Sequence, residues 1–131
     1  MIGLDTNVLV RFLVEDDEIQ AHRAKRLIAE SVERGEPCLI TETTLCETVW
    51  VLVSRYRFSR SQVQAVLEAL LQTPHLRFRS RTLAERALAR YQEGRGDFAD
   101  YLISEQSVEA GGEVVATFDR DLHGEPGFLP L

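Results

Sequence analysis

Short apolar runs alternate with longer amphipathic segments along this chain, and that pattern predicts strands alternating with helices. The apolar runs lie at 2–4, 38–41, 76–79, 113–117 and 128–129. The amphipathic segments lie at 6–14, from 16 to near 35, and at 43–56, 59–72, 82–93 and 97–110. Strands that alternate with helices indicate an α/β fold in which helices cover both faces of a parallel sheet.

Two of the predicted helices have informative apolar patterns. The second presents a stripe that we expect to face the core: Ile19, His22, Leu27, Ile28 and Val32. The third is apolar on nearly every side, with Trp50 among its residues. A helix of that kind is buried or faces a partner.

Length and composition predict one globular domain over residues 1–131. Hydrophobic residues make up 44% and charged residues 27%, which excludes a disordered chain. The net charge of −6 lacks the strongly basic character of many nucleic-acid-binding proteins, although a bound Mg²⁺ or local arginines reverse the sign of a cleft. With two isolated cysteines, no signal-peptide pattern and no membrane-length apolar run, we expect a cytoplasmic protein.

Acidic residues recur at the edges of the predicted elements, and most also have an ordinary structural explanation. Asp5 follows the first strand and is a candidate helix N-cap. Glu47 fits capping-box spacing from Thr44, yet it lies in an otherwise apolar helix. Near the C-terminus, Asp97 is a candidate cap for the helix that contains Asp100, which itself has less structural reason to be acidic.

The fourth predicted strand, at 113–117, is followed by two further acids. Asp119 occupies the position after that strand that Asp5 occupies after the first, and Asp121 is a candidate cap for a final helical turn. The carboxyl ends of parallel strands form one edge, where ligands bind in open α/β sheets. Carboxylates gathered there repel one another unless a cation compensates them, and Mg²⁺ or Mn²⁺ prefers such oxygen ligands. The sequence therefore predicts a divalent-metal site.

Two other functional classes remain open at this point. A phosphotransferase using an aspartyl-phosphate also has Asp after its first strand, but the DxDxT form needs a second Asp where this chain has Asn7. Lys25 is the only lysine, so no lysine in the later strands stabilises such an intermediate. The second class is a catalytically silent module that binds RNA or protein.

Four segments resemble PIN domains, specifically the VapC-type ribonuclease toxins of prokaryotic toxin–antitoxin pairs. They are 2–9 (IGLDTNVL), 47–52 (ETVWVL), 97–103 (DFADYLI) and 116–122 (ATFDRDL). Their order and spacing match over essentially the whole chain. The resemblance implies a PIN-like (Rossmann-like) α/β fold with a twisted parallel sheet flanked by helices. It also implies an endoribonuclease that uses one or two Mg²⁺ or Mn²⁺ ions, a homodimer, and a VapB-type antitoxin partner.

The resemblance also assigns roles to individual residues. The four acids of the family correspond to Asp5, Glu47, Asp100 and Asp119, which are expected to act in catalysis and to hold the metal. Asp97 is kept as an additional candidate ligand, and Asn7 and Thr117 match polar positions that support the site in the family. Beyond the resemblance, we expect Thr6 and Asp121 to form hydrogen bonds that support the metal ligands.

Arginines supply the candidate contacts to RNA phosphates. One group is Arg55, Arg57 and Arg60, and the other is Arg77, Arg79 and Arg81 on the third predicted strand. Alternating charges along a strand more often protect a sheet edge than bind phosphate, and we favour that explanation for the second group.

Overall fold

The computed structural model describes all 131 residues, which form two compact units, Met1–Arg81 and Thr82–Leu131. The fold is mixed α/β, every strand pairing in it is parallel, and helices flank the strands. This agrees with the fold class expected from the alternating pattern.

The first unit contains a three-stranded parallel sheet in the order β1-β2-β3. Its elements are β1 (Ile2–Gly3), α1 (Thr6–Leu13), α2 (Glu18–Glu33), β2 (Cys38–Ile40), α3 (Glu42–Ser54), α4 (Arg60–Gln72) and β3 (Leu76–Phe78). Cys38 of β2 pairs with Ile2 on one side and with Leu76 on the other. β3 therefore forms an edge of this sheet, as its half-exposed pattern predicts.

Local hydrogen bonds explain where the helices of this unit begin. The side chain of Asp17 accepts from the N–H of Gln20 at the start of α2, and Ser59 with Gln62 forms a capping box at the start of α4. Each cap satisfies backbone donors that the first helical turn leaves unpaired. Leu9, Ile40 and Leu52 are fully buried and lie in the core between these helices and the sheet.

The predicted core stripe of α2 is wrong in part. Ile19 is 72% exposed and Val32 41% exposed, and the buried positions of α2 are Ala21, Ala24, Ile28 and Ser31. α2 packs against α1 through this face of mostly small residues. Small side chains let two helices approach closely, so the size of a residue is a poor guide to which face is buried here.

α3 is buried on one face only. Leu45, Val49 and Leu52 lie in the core, whereas Trp50 is 70% exposed and Val53 45% exposed. The predicted burial of this helix is therefore confirmed for one face only.

The second unit contains two helices, a two-stranded parallel sheet and a short 3₁₀ turn. Its elements are α5 (Arg81–Glu93, beginning at the last residue of the first unit), α6 (Phe98–Glu109), β4 (Val115–Thr117), the 3₁₀ turn Arg120–Leu122 and β5 (Phe128–Pro130). Val115 pairs with Phe128, so the short final strand predicted at 128–129 is confirmed. None of the helices in either unit has the length and apolar character needed to cross a membrane.

Aromatic residues and one arginine stabilise the second unit. Tyr91 and Phe98 meet edge to face with their ring centroids 6.1 Å apart. The guanidinium of Arg90 lies 5.1 Å from the ring centroid of Tyr101 and 5.5 Å from that of Phe128, within the range of cation–π attraction. The same guanidinium donates to the hydroxyl of Ser104 at 2.8 Å. These contacts tie α5, α6 and β5 together.

Candidate active site

Asp5 lies directly after β1, where the backbone N–H of Leu4 still donates to the carbonyl of Leu39 at 2.9 Å. The Oδ1 atom of Asp5 accepts from the N–H of Thr6 at 2.8 Å, and Asp5 is the N-cap of α1. The capping explanation for Asp5 is therefore correct. Its second oxygen has no hydrogen-bond partner, so capping leaves this exposed carboxylate able to bind another group.

Threonine hydroxyls surround the start of α1 and the facing side of α3. Thr44 donates to the carbonyl of Leu4 at 3.3 Å. Thr6 and Thr48 are buried, on α1 and α3, and neither hydroxyl oxygen has a hydrogen-bond partner. Because α1 packs against α3, the core beneath Asp5 is more polar than the apolar sequence of α3 predicted.

Glu47 is exposed on α3 and has no hydrogen bond or ion pair. The cap of α3 is Thr41, whose side chain accepts from the N–H of Thr44, and Thr44 itself lies inside the helix. The capping-box explanation for Glu47 is therefore wrong, because Glu47 lies beyond the first turn. α3 has no structural need for an acid at this position.

In the second unit, Asp97 caps α6, and its own backbone N–H donates to the carboxylate of Asp100 at 2.8 Å. Asp100 thus has a structural role that the sequence did not reveal. Burial raises the pKa of Asp100, as do the negative charges of Asp97, Asp119 and Glu125, while the hydrogen bond from Asp97 opposes the rise. Three other carboxylates of the second unit therefore act electrostatically on Asp100.

Asp119 caps the 3₁₀ turn, where its Oδ1 accepts from the N–H of Asp121 at 2.9 Å. The prediction that Asp121 would be the cap is wrong. The hydroxyl oxygen of Thr117 accepts from the N–H of Asp119 at 3.0 Å. Thr117 therefore fixes the turn that presents the Asp119 carboxylate.

The predicted acids fall into two sets. Asp5 and Glu47 belong to the first unit, and Asp97, Asp100, Asp119 and Asp121 to the second. Within neither unit do three His, Cys, Asp or Glu side chains lie close enough together to hold a metal ion. The second unit nevertheless concentrates negative charge around Asp100.

Comparison with known proteins decides the family. The model of the PIN domain family matches residues 2–124. The chain belongs to the PIN domain family. It is also similar to a VapC ribonuclease of Aquifex aeolicus (strain VF5), with 26% identity over 117 residues, covering 89% of this chain and 86% of that protein.

Two acidic residues of this PIN domain were absent from the sequence-based candidates. Glu125 accepts a hydrogen bond from the hydroxyl of Tyr101 and contributes to the charge around Asp100, but it lies in a turn-rich segment without a recognisable pattern. Glu42 is buried and accepts from Arg79 at 3.0 Å. Glu42 immediately follows the Thr41 cap, so a correct assignment of that cap would have indicated an acid in the first turn.

Two of the candidate RNA-binding arginines, Arg79 and Arg81, and the thiol of Cys46 have structural environments. Arg79 pairs with Glu42, and Arg81 donates to the carbonyl of Leu71, while Arg77 is exposed on the edge strand β3. Burial, followed by the charge of Glu42, raises the pKa of the Cys46 thiol to about 11. A thiol with such a pKa is not an activated nucleophile at neutral pH.

Proposed function

We propose that this PIN domain is a VapC-type endoribonuclease that hydrolyses RNA phosphodiester bonds with Mg²⁺ or Mn²⁺. The observation that carries the proposal is the raised pKa of the Asp100 carboxyl, which burial causes first and the negative charges of Asp97, Asp119 and Glu125 increase. Burial and neighbouring negative charge both destabilise the ionised carboxylate, and a divalent cation relieves that cost. The similarity to a VapC ribonuclease supports the choice of RNA as substrate.

The donor set suits a hard cation, because the candidate ligands are carboxylate oxygens rather than thiolates or imidazoles. Asp5, Glu47, Asp100 and Asp119 would hold one or two ions, with Asp97 as an additional ligand. A divalent ion bound there supplies an activated water and neutralises charge on the scissile phosphate.

The chain's own residues position the ligands. The cap that Asp5 forms with Thr6 fixes one carboxylate oxygen and leaves the other unpaired. Thr117 holds the turn of Asp119 and Asp121, and the hydrogen bond from Asp97 orients the Asp100 carboxylate. Glu47, which has no partner in the structure, is free to accept a proton or a hydrogen bond from the attacking water. Thr6 and Asn7 would hydrogen-bond to ligands or water.

As part of this proposal, the protein is the toxin of a type II VapBC toxin–antitoxin pair and acts in the cytoplasm. Its partners are cellular RNA, a cognate VapB-type antitoxin and a second copy of the chain in a homodimer. Residues 1–131 act as one PIN domain, with no membrane partner.

The decisive experiment expresses the wild-type protein, Asp5→Asn and Asp17→Asn in bacteria without an antitoxin, and maps RNA ends after brief induction. Asn caps helices as well as Asp, so both variants keep their helix starts. We expect wild type and Asp17→Asn to arrest growth and create new RNA ends, and Asp5→Asn to do neither. Equal behaviour of all three proteins contradicts the toxin assignment.

Metal dependence is tested separately by thermal melting with and without Mg²⁺ or Mn²⁺. An ion at a hundredfold excess over its Kd stabilises the fold by about 2.7 kcal/mol if the unfolded chain does not bind it. We expect this shift for wild type and its loss in Asp5→Asn. No shift together with no RNA cleavage would instead identify a catalytically silent module.

A further inference from the structure

A cavity of about 300 Å³ lies between α1 and α2 in the first unit. Ala24 and Leu27 contribute to an apolar wall, and Asn7, Gln20 and two arginines supply polar groups. The volume is at the lower end of the roughly 300–1,000 Å³ typical of small-ligand sites. An apolar cavity with a few polar groups suits one small ligand.

The polar groups of this cavity are only partly used by the protein itself. The Oε1 atom of Gln20 accepts from Nε of Arg11 at 2.7 Å, which orients the side chain and leaves its amide NH₂ as a donor. Asn7 has no side-chain partner and offers both a donor and an acceptor. The cavity therefore presents a fixed donor beside a group that both donates and accepts.

The charged residues that line this cavity are both arginines, Arg11 and Arg23, although the whole chain carries −6. No carboxylate lines it. Arg11 forms an ion pair with Asp16 at 2.9 Å, whereas Arg23 is exposed and has no hydrogen bond or ion pair. An uncompensated guanidinium beside an apolar wall favours a ligand that joins a flat ring to a negative group.

We propose that this cavity binds one unstacked nucleobase of the RNA substrate and determines which base is recognised next to the cut. The proposal rests on the ribonuclease function proposed above and adds the recognition element to it. The apolar wall contacts the face of the base, the Gln20 amide and Asn7 read its edge, and Arg23 binds a flanking phosphate. Single-stranded RNA is commonly recognised in this way, through splayed bases and hydrogen bonds to their edges.

The chain places the cavity next to the proposed chemistry. Asn7 is two residues from Asp5, so their Cα atoms are at most about 7.6 Å apart. A base held against Asn7 therefore belongs to a nucleotide at or beside the scissile phosphate. Recognition at that position selects the site of cleavage rather than adding general affinity for RNA.

Gln20→Glu is the sharpest test, because it keeps the acceptor for Arg11 and replaces the donor with a negative oxygen. Gln106→Glu is the matched control on the exposed surface of α6. With a pool of single-stranded RNA randomised around the cut, we expect wild type and Gln106→Glu to prefer one base at one position. Gln20→Glu should change that preference by roughly tenfold, the order expected when one hydrogen bond to the base is lost.

A second measurement does not depend on cleavage. The side-chain amide NMR signals of Gln20 and Asn7 are followed while AMP, GMP, CMP and UMP are added separately. We expect one nucleotide to shift these signals at lower concentration than the others, and Gln20→Glu to remove that selectivity. Nucleotides that bind equally or not at all overturn the proposal, as they would if a protein segment occupies the cavity.

The two measurements separate this proposal from the ribonuclease function. Base-selective binding without any RNA cleavage by wild type supports base recognition by the cavity and refutes the ribonuclease function. Cleavage whose base preference is unchanged in Gln20→Glu supports the ribonuclease function and refutes base recognition by the cavity.

Discussion

The backbone N–H of Asp97 donates to the carboxylate of Asp100 over 2.8 Å, so a proposed metal ligand also closes the first turn of α6. The hydrogen bond favours the ionised carboxylate, whereas burial and the neighbouring acids disfavour it, and the net result is a raised pKa. Structural and chemical roles are thus combined in one side chain. They can be separated by substitution.

Asp100→Asn should keep the cap and remove the charge, because the amide oxygen still accepts from Asp97. Since the pKa of Asp100 is raised in the folded state, ionisation destabilises the fold above the ordinary Asp pKa of 3.8. We expect Asp100→Asn to melt above wild type at neutral pH in a chelator, with the difference vanishing at low pH. Asp100→Ala loses the acceptor and should be about 1 kcal/mol less stable than Asp100→Asn. Asp100→Asn melting below wild type would show that the carboxylate stabilises the fold.

The hydroxyl of Tyr56 should control the titration of Asp16. The hydroxyl of Tyr56 donates to Asp16 at 2.8 Å and is the main cause of the lowered pKa of Asp16, with Arg11 adding to it. The stability from this contact is present above the ordinary Asp pKa and is lost as pH falls through the folded value. Tyr56→Phe should raise the Asp16 pKa, as measured by NMR of its carboxyl carbon. An unchanged titration would mean that Arg11 alone sets the pKa.

Gly94 occupies a position where a side chain does not fit. A Cβ added there would lie 1.9 Å from the hydroxyl of Tyr101 and 2.2 Å from Oε1 of Glu125. We expect Gly94→Ala to reduce the free energy of unfolding by about 1–3 kcal/mol, the usual cost of overpacking. Gly3→Ala is the control, because nothing lies within 4 Å of its added Cβ, and it should be neutral or slightly stabilising. Urea denaturation of both variants measures the difference.

Two threonines of α3 should respond in opposite directions to the same substitution. The hydroxyl of Thr48 is buried without a partner, whereas that of Thr44 donates to the carbonyl of Leu4. Thr48→Val should raise the free energy of unfolding by about 1 kcal/mol, and Thr44→Val should lower it by a similar amount. Equal destabilisation by both substitutions would indicate that Thr48 has a partner in solution.

The helix starts show how far local sequence reasoning reaches. Asp5 and Asp97 cap their helices as predicted, because a cap depends only on residues within one turn. The same reasoning failed for the capping box predicted between Thr44 and Glu47, because the helix is capped earlier, by Thr41. It failed again at the last turn, which is capped by Asp119 rather than Asp121. Cap assignments two or three positions apart fit the local sequence equally well, and packing against neighbouring elements decides between them.

Burial of large apolar residues was harder to predict than the elements themselves. Ile19 and Trp50 both belong to helices that the pattern located correctly, yet both are largely exposed. α2 instead buries Ala21 and Ala24 against the rest of the unit. Periodicity gives the spacing of a buried face, but neighbouring elements decide which face that is.

The sequence by itself determined the order of strands and helices, the parallel pairing and the family motifs around Asp5, Glu47, Asp100 and Asp119, since these depend on local periodicity and short spacings. Only the tertiary structure decided that Glu125 adds to the charge around Asp100, that the buried Glu42 pairs with the exposed Arg79, and that Asn7 and Gln20 share a cavity. Those relationships join residues from different elements. Their distances follow from how the elements pack, which no local pattern encodes.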